Sequence, residues 1–234
     1  MPMFGHNYYH TTLRRYVIMF GNLFNEIQIH RYNEAGAKVQ TVAVPISYGP
    51  KQKFIDRAIA DPTGFKSVST VLPRLAFSMN TMTYAGLRKL NSTLKFQNVV
   101  NQSAKTASSV FSPVPYDMNF TLSCLTRNAE DGTQIIEQIL PFFTPDFTVT
   151  MKVLPEMNVT LDIPIELTSV TSDDQYEGDF DTKRVLTWDL DFIVKGYLFG
   201  PIRSNNKVII NEATINTFDG FDATIPAFTI TKPE

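Results

Sequence analysis

Leu186-Thr187-Trp188-Asp189-Leu190-Asp191-Phe192-Ile193-Val194 decides the fold class. Leu186, Trp188, Leu190, Phe192 and Val194 alternate with Thr187, Asp189 and Asp191, the period of two of a strand with one face buried and one face wet. Trp188 falls on the apolar face and is expected in the core. Two upstream segments repeat the pattern. Tyr116, Met118, Phe120, Leu122 and Cys124 alternate with Asp117, Asn119, Thr121 and Ser123. Leu161, Ile163, Ile165 and Leu167 alternate with Asp162, Pro164, Glu166 and Thr168. Between these two the spacing predicts a short helix, with Thr133 as its cap, Ile135, Ile136, Ile139 and Leu140 as its apolar face, and Pro141 as its stop.

Toward the N-terminus the period changes. Leu13, Tyr16, Val17, Phe20, Phe24 and Ile27 recur at helical spacing, and Thr11 or Thr12 can cap the helix. Gly21 inside it costs about 1 kcal/mol relative to alanine and permits close approach of a neighbour. A hairpin is expected next: Ile27 to Tyr32, a turn from Asn33 to Lys38 containing Gly36, and a return strand from Val39 to Tyr48. A helix is expected over Lys51 to Ala60, broken by Asp61, Pro62 and Gly64. A strand then places Leu75, Phe77 and Met79 on one face. Arg88 to Pro115 is rich in Ser, Asn and Lys with weak patterning, and reads as a long loop or arm. Beyond residue 200, Lys207 to Glu212 is the one strand candidate in a polar, proline-punctuated tail. The sum is an α+β fold, mostly antiparallel sheet with helices packed on one face. The expected organisation is a domain over 1–200, in which 88–115 is the loop or arm, and a C-terminal extension over 201–234.

Composition narrows the function. With 43% hydrophobic residues the 234-residue chain can build a sizeable core. The charged fraction, 19%, lies below the usual quarter and suits a surface partly covered by other subunits. A net charge of −2 leaves no basic excess for a phosphate backbone, so DNA is expected at most to pass through a lumen. The single Cys124 permits neither an internal disulfide nor a cysteine-based zinc site, and its register with Met118, Phe120 and Leu122 makes it a small core residue. No run approaches a membrane span, and Asn22, Asn25 and Glu26 interrupt the apolar stretch behind Arg14 and Arg15 too early for a signal peptide. The expectation is a soluble protein made in the cytoplasm. Asn91, Asn101, Asn119 and Asn158 open glycosylation triplets, which have no meaning in that setting.

Catalytic and metal motifs are missing from the sequence: no P-loop, dinucleotide fingerprint, serine-hydrolase elbow or HExxH. His6 and His10 have helical ligand spacing but no third ligand, and read as a surface or interface segment; His30 reads as structural. Asp173, Asp174, Glu177, Asp179 and Asp181 do not match an EF-hand, and with Gly178 read as a solvated loop. No cofactor or metal is expected. Arg14 and Arg15 lie in the first turn of the first helix, where positive charge opposes the helix dipole by about 0.3–1 kcal/mol per exposed charge. Contact with an acidic partner surface and an ordinary exposed or internally paired arginine are both open.

One resemblance extends over roughly residues 10 to 200. Arg14-Arg15-Tyr16 through Gly21, Leu23-Phe24 and Ile27-Gln28-Ile29 resembles the N-terminal segment of the tail sheath stabilisers of contractile-tailed bacteriophages. So do Leu72-Pro73-Arg74, the run from Gln134 to Pro141 continuing to Phe143, Pro145 and Phe147, and the strand from Arg184 through Trp188 to Gly196 and Pro201. The resemblance implies a tail-terminator-like fold and a hexameric ring at the head-proximal end of the tail. It would cap tube and sheath, stabilise the extended sheath and join the tail to neck and head-completion proteins. It also implies a virion location and interface roles for Arg14, Arg15 and Arg74. A tube terminator without sheath contact is the near alternative. A virion-associated hydrolase or carbohydrate-binding module is the remote one, lacking paired carboxylates, a nucleophile with its base, or aromatic platforms.

Overall fold

The structure, a computed structural model, describes residues 7–33, 36–59, 71–101, 106–174, 185–208, 212–215 and 228–231. The chain divides into two compact units. Met1–Leu90 with Pro113–Phe199 form the first, and Asn91–Ser112 with Gly200–Glu234 the second. The fold is mixed α+β.

The first unit is built on β10 (Leu186–Leu198), the strand that carries the deciding alternation. It pairs antiparallel with β7 (Val114–Thr126) without a break, from Leu186↔Thr126 to Leu198↔Val114. On its other side lies β9 (Val159–Asp174), with a register shift between Asp191 and Phe192. β4 (Arg74–Tyr84) flanks β7, β8 (Asp146–Leu154) flanks β9, and β3 (Ile46–Tyr48) closes the far edge. The sheet order is β3-β4-β7-β10-β9-β8. Only β3 runs parallel to its neighbour.

Two helices lie on the apolar face. From α1 (Thr12–Leu23), the Phe20 ring stacks on Phe120 at 4.6 Å and meets Phe192 edge-on at 5.3 Å and Phe77 at 5.5 Å, three residues from three adjacent strands. Gly21 is where the helix comes closest to the sheet: a Cβ there would sit 2.9 Å from the Phe77 ring. α3 (Ala129–Ile139) buries Ile135, Ile136 and Ile139.

The remaining helix departs from the expectation of one covered face. α2 (Lys51–Ile59) packs Phe54 on Ala76 and Leu125, whose positions alternate with core-facing Leu75 and Cys124 and so lie on the opposite face. Leu122 to Thr126 is consequently buried at every position, and the apolar Leu125 breaks the polar side of the alternation there. Trp188 also differs from the expected core tryptophan. It is half-buried, its indole edge against Gly132 of α3, where an added Cβ would lie 2.7 Å from Nε1.

Three local expectations are corrected. The return strand Val39–Tyr48 is two strands: β2 (Lys38–Ala43) pairs with β1 (Gln28–Tyr32), while β3 joins the main sheet. The switch falls at Pro45, which has no N–H. Val44 N–H still donates to Ile27 O at 2.9 Å, and Pro45 O already accepts from Leu75 N–H at 2.9 Å. Thr133 is not the cap of α3. Asn128 holds that position, and Thr133 Oγ1, one turn inside, donates to Glu130 O at 2.9 Å. The stretch from Arg88 to Pro115 is not irregular. In the second unit β5 (Lys95–Asn101) and β6 (Thr106–Phe111) form a hairpin, and β11 (Arg203–Val208) pairs with β6. Its Ser, Asn and Gln side chains carry little hydrophobic period, so the alternation signal is weak. β12 (Glu212–Ile215) and β13 (Phe228–Thr231) pair with each other. The break at Asp61, Pro62 and Gly64 lies outside the described residues, as does 209–211 of the Lys207–Glu212 candidate.

Candidate interaction surfaces

The run Gln134-Ile135-Ile136-Glu137-Gln138-Ile139 has a division of labour that explains its composition. The isoleucines face the core. Gln134 and Gln138 face β1. The Gln134 amide accepts from His30 N–H at 3.0 Å and donates to His30 O at 3.2 Å, and Gln138 Nε2 donates to Gln28 O at 2.8 Å. One turn of helix (about 5–6 Å) matches two residues of strand (~6.6 Å), so the pair acts in place of a missing ladder partner along this edge of β1. Arg31 adds an ion pair at 2.8 Å to Asp131, which is buried in the first turn of α3, where the helix dipole favours an anion. This β1–α3 junction is structural, and His30 belongs to it through its backbone.

Away from α2 the opposite face of the sheet is polar, and its aspartates are bonded within the chain. Ser123 Oγ donates to Asp189 Oδ1 at 2.6 Å, and Lys51 Nζ pairs with Asp189 Oδ2 at 2.5 Å. Thr121 Oγ1 and Ser169 Oγ donate to the two oxygens of Asp191 at 2.6 and 2.9 Å. Each aspartate therefore faces neighbours that complete it, and the cluster forms a bonded surface rather than a pair of catalytic carboxylates. Among the described residues no group of His, Cys, Asp and Glu could hold a metal. His6 and the positions 177–181 of the acidic cluster lie outside those residues. Cys124 is buried, and that burial first, the Asp131 carboxylate second, pushes its thiol up to about 12, so it stays protonated at neutral pH. No helix of the described residues is long and apolar enough to cross a membrane.

The three arginines named from sequence are not brought together. Arg14 is exposed on the first turn of α1, with no ion-pair partner among the described residues. Arg15 turns back to its own sheet, donating from Nη1 to Lys152 O at 3.3 Å. Arg74 starts β4 and lies with its guanidinium 5.4 Å from the centre of the Phe54 ring of α2, a cation–π contact within the chain.

A surface that the sequence reading did not single out lies where α1 and α3 end. Phe24 caps α1; Leu140–Phe142 is a 3-10 turn following α3. Between them is an open concavity of about 650 Å³, with Phe24, Ile27, Pro141, Phe142, Phe143 and Phe147 among its walls. Phe142 is 65% exposed. Glu26 and Glu137, both exposed, stand at its rim. Neither helix carries a basic residue in its last turn, so two negative dipole ends and two carboxylates meet around an apolar floor. The available signal was the aromatic cluster Phe142, Phe143 and Phe147 just past a helix stop, with more aromatic surface than one turn can bury. At the other end of α1, Tyr9 is 76% exposed.

Comparison with known proteins identifies the family. The T4-like virus Myoviridae tail sheath stabiliser family matches residues 7–230. The tail completion protein gp15 of Enterobacteria phage T4 is 34% identical over 207 residues, covering 86% of this chain and 74% of the phage T4 protein.

Proposed function

Since the chain belongs to the T4-like Myoviridae tail sheath stabiliser family, we propose that it closes into a hexameric ring at the head-proximal end of a contractile tail. There it caps the tube and the last sheath ring, holds the sheath extended and presents a surface to neck and head-completion proteins, with DNA passing through the lumen. The chain is a structural tail protein and not an enzyme. The observation that carries the reading is the family match along nearly the whole chain, residues 7–230.

The surfaces support it. A heterologous interface that closes by rotation needs a patch and a complementary patch at different places on one subunit. The aromatic concavity and the exposed Tyr9 lie at opposite ends of α1. Arg14 is the arginine free to make the partner contact, while Arg15 and Arg74 have neighbours within the chain. In this reading the first unit is the tail-terminator-like body of the ring. The segments that the resembling motifs leave uncovered, 49–68, 88–115 and 202–234, carry contacts particular to each partner. The virion tail or neck is the site of action, after synthesis in the bacterial host cytoplasm.

The near alternative, a terminator of the tube alone, differs in one measurable respect. Purified protein is expected to co-sediment with assembled sheath bound to tube more strongly than with bare tube. Equal binding to both would favour the tube terminator, and binding to neither would remove the capping role.

A further inference from the structure

We propose that the aromatic concavity at the C-terminal end of α1 receives the N-terminal end of α1, with Tyr9 and Arg14, from a second copy of the chain. The inference rests on the ring reading and names the two surfaces that close it.

Both ends of α1 are mismatched in the single subunit. The N-terminal end has a positive dipole, no acidic residue in its first turn and an exposed Arg14. The C-terminal end has a negative dipole, no basic residue in its last turn and Glu26 beside it. α3 brings a second negative end and Glu137 to the same place. Each surface lacks what the other carries: the concavity is apolar with an acidic rim, and the N-terminal end is aromatic and basic. The subunit cannot join them by itself. α1 has 12 residues, about 18 Å from end to end, and Arg14 is fixed on its first turn, so its side chain cannot reach the acidic rim at the far end. A neighbour placed head to tail can. The aromatic side chain then fills the open floor, and the guanidinium fork meets a carboxylate that has an apolar surface beside it. Because donor and acceptor surfaces differ, the contact is heterologous and propagates around a ring.

The chain suits a cysteine test, because its one native thiol, Cys124, is buried and protonated. The full-length chain carrying both Tyr9→Cys and Phe142→Cys is assembled alone at high concentration or on tails and mildly oxidised. Non-reducing electrophoresis should give a ladder up to the ring size, whereas either single variant should give no ladder beyond dimer. In the double-cysteine background Arg14→Glu should reduce the ladder by roughly tenfold or more, and adding Glu137→Arg should restore it. All of these positions are exposed, and unchanged melting curves confirm the fold. Rings visible by imaging that give no ladder would overturn these surfaces and leave the ring reading standing, as would an Arg14→Glu variant that assembles normally. A wild-type chain that stays monomeric in every condition, tails included, would overturn both.

Discussion

Phe20→Ala is expected to cost about 3–5 kcal/mol, the range for a buried aromatic cut to alanine. Phe20 is fully buried, and its ring touches Phe24 of its own helix and Phe77, Phe120 and Phe192 from three strands. Removing it opens a cavity at the one point where α1, β4, β7 and β10 meet, and the flanking rings are too rigid to fill it. Aromatic pairs add about 0.5–1.5 kcal/mol beyond area burial, which pushes the effect toward the upper end. The thermal midpoint should fall by roughly 10 °C or more. Ile18→Ala, on the exposed side of the same helix, is the control and should change little. An unchanged midpoint for Phe20→Ala would mean that α1 does not dock on this sheet.

The second large effect concerns Tyr16, where packing and hydrogen bonding can be separated. β9 stops pairing with β10 at Val194. Farther along, Tyr197 N–H donates to the buried Tyr16 Oη at 2.9 Å, and that hydroxyl donates to Tyr197 O at 3.1 Å. One phenol thus stands in for a strand. Tyr16→Phe keeps the ring and orphans both backbone groups, costing about 1–3 kcal/mol. Tyr16→Ala also removes the ring and should approach the loss expected for Phe20→Ala. The phenol has a pH signature. Burial is the main reason its pKa is raised from 10.0 to about 12, against the opposing backbone hydrogen bond from Tyr197. Below pH 10 the phenol is protonated whether folded or unfolded. As pH rises from 10 toward 12 the unfolded phenol ionises first, so stability declines across that window. Wild type should therefore lose more stability than Tyr16→Phe over the same interval. Parallel pH profiles would place the Tyr16 hydroxyl in water.

The parts of the fold that were legible in the sequence are those where one physical requirement acts alone. β7 and β10 alternate because one face meets helices and the other meets water, and Phe20 sits on a helical stripe because α1 touches the sheet along one side. Where two requirements overlap, the pattern loses meaning. Leu125 stands where the polar side of the β7 alternation would continue from Ser123, because α2, from a distant part of the sequence, covers that end of the sheet's other face. Val39–Tyr48 keeps an apolar period straight through Pro45, but the missing N–H hands the chain from one ladder to another. Trp188 has the register of a core residue and is half-buried, its indole edge docked where Gly132 leaves room for it. β8 is legible on its own terms, since Phe147, Val149, Met151 and Val153 alternate with exposed Thr148, Thr150 and Lys152.

The candidate surface was less legible for a related reason. Arg14 could be singled out because a cation on the first turn of a helix needs an explanation within that helix. Its proposed receptor could not be, since Phe24, Glu26, Glu137 and Phe142 come from two helix ends more than a hundred residues apart in the chain and share no spacing. Only the fold makes them neighbours. The same fold turns Arg14 and Arg15 to different surroundings and sets Arg74, linked to them in the sequence only by the family resemblance, against Phe54.

If this chain is a ring subunit at the head-proximal end of the tail, electron microscopy of assembled tails will show it there. Averaged images of tails carrying labelled protein should show a closed six-fold ring, coaxial with the tube, at the end that receives the head. Label found along the sheath or at the distal end, or protein present at that site only as single unclosed subunits, would contradict the account.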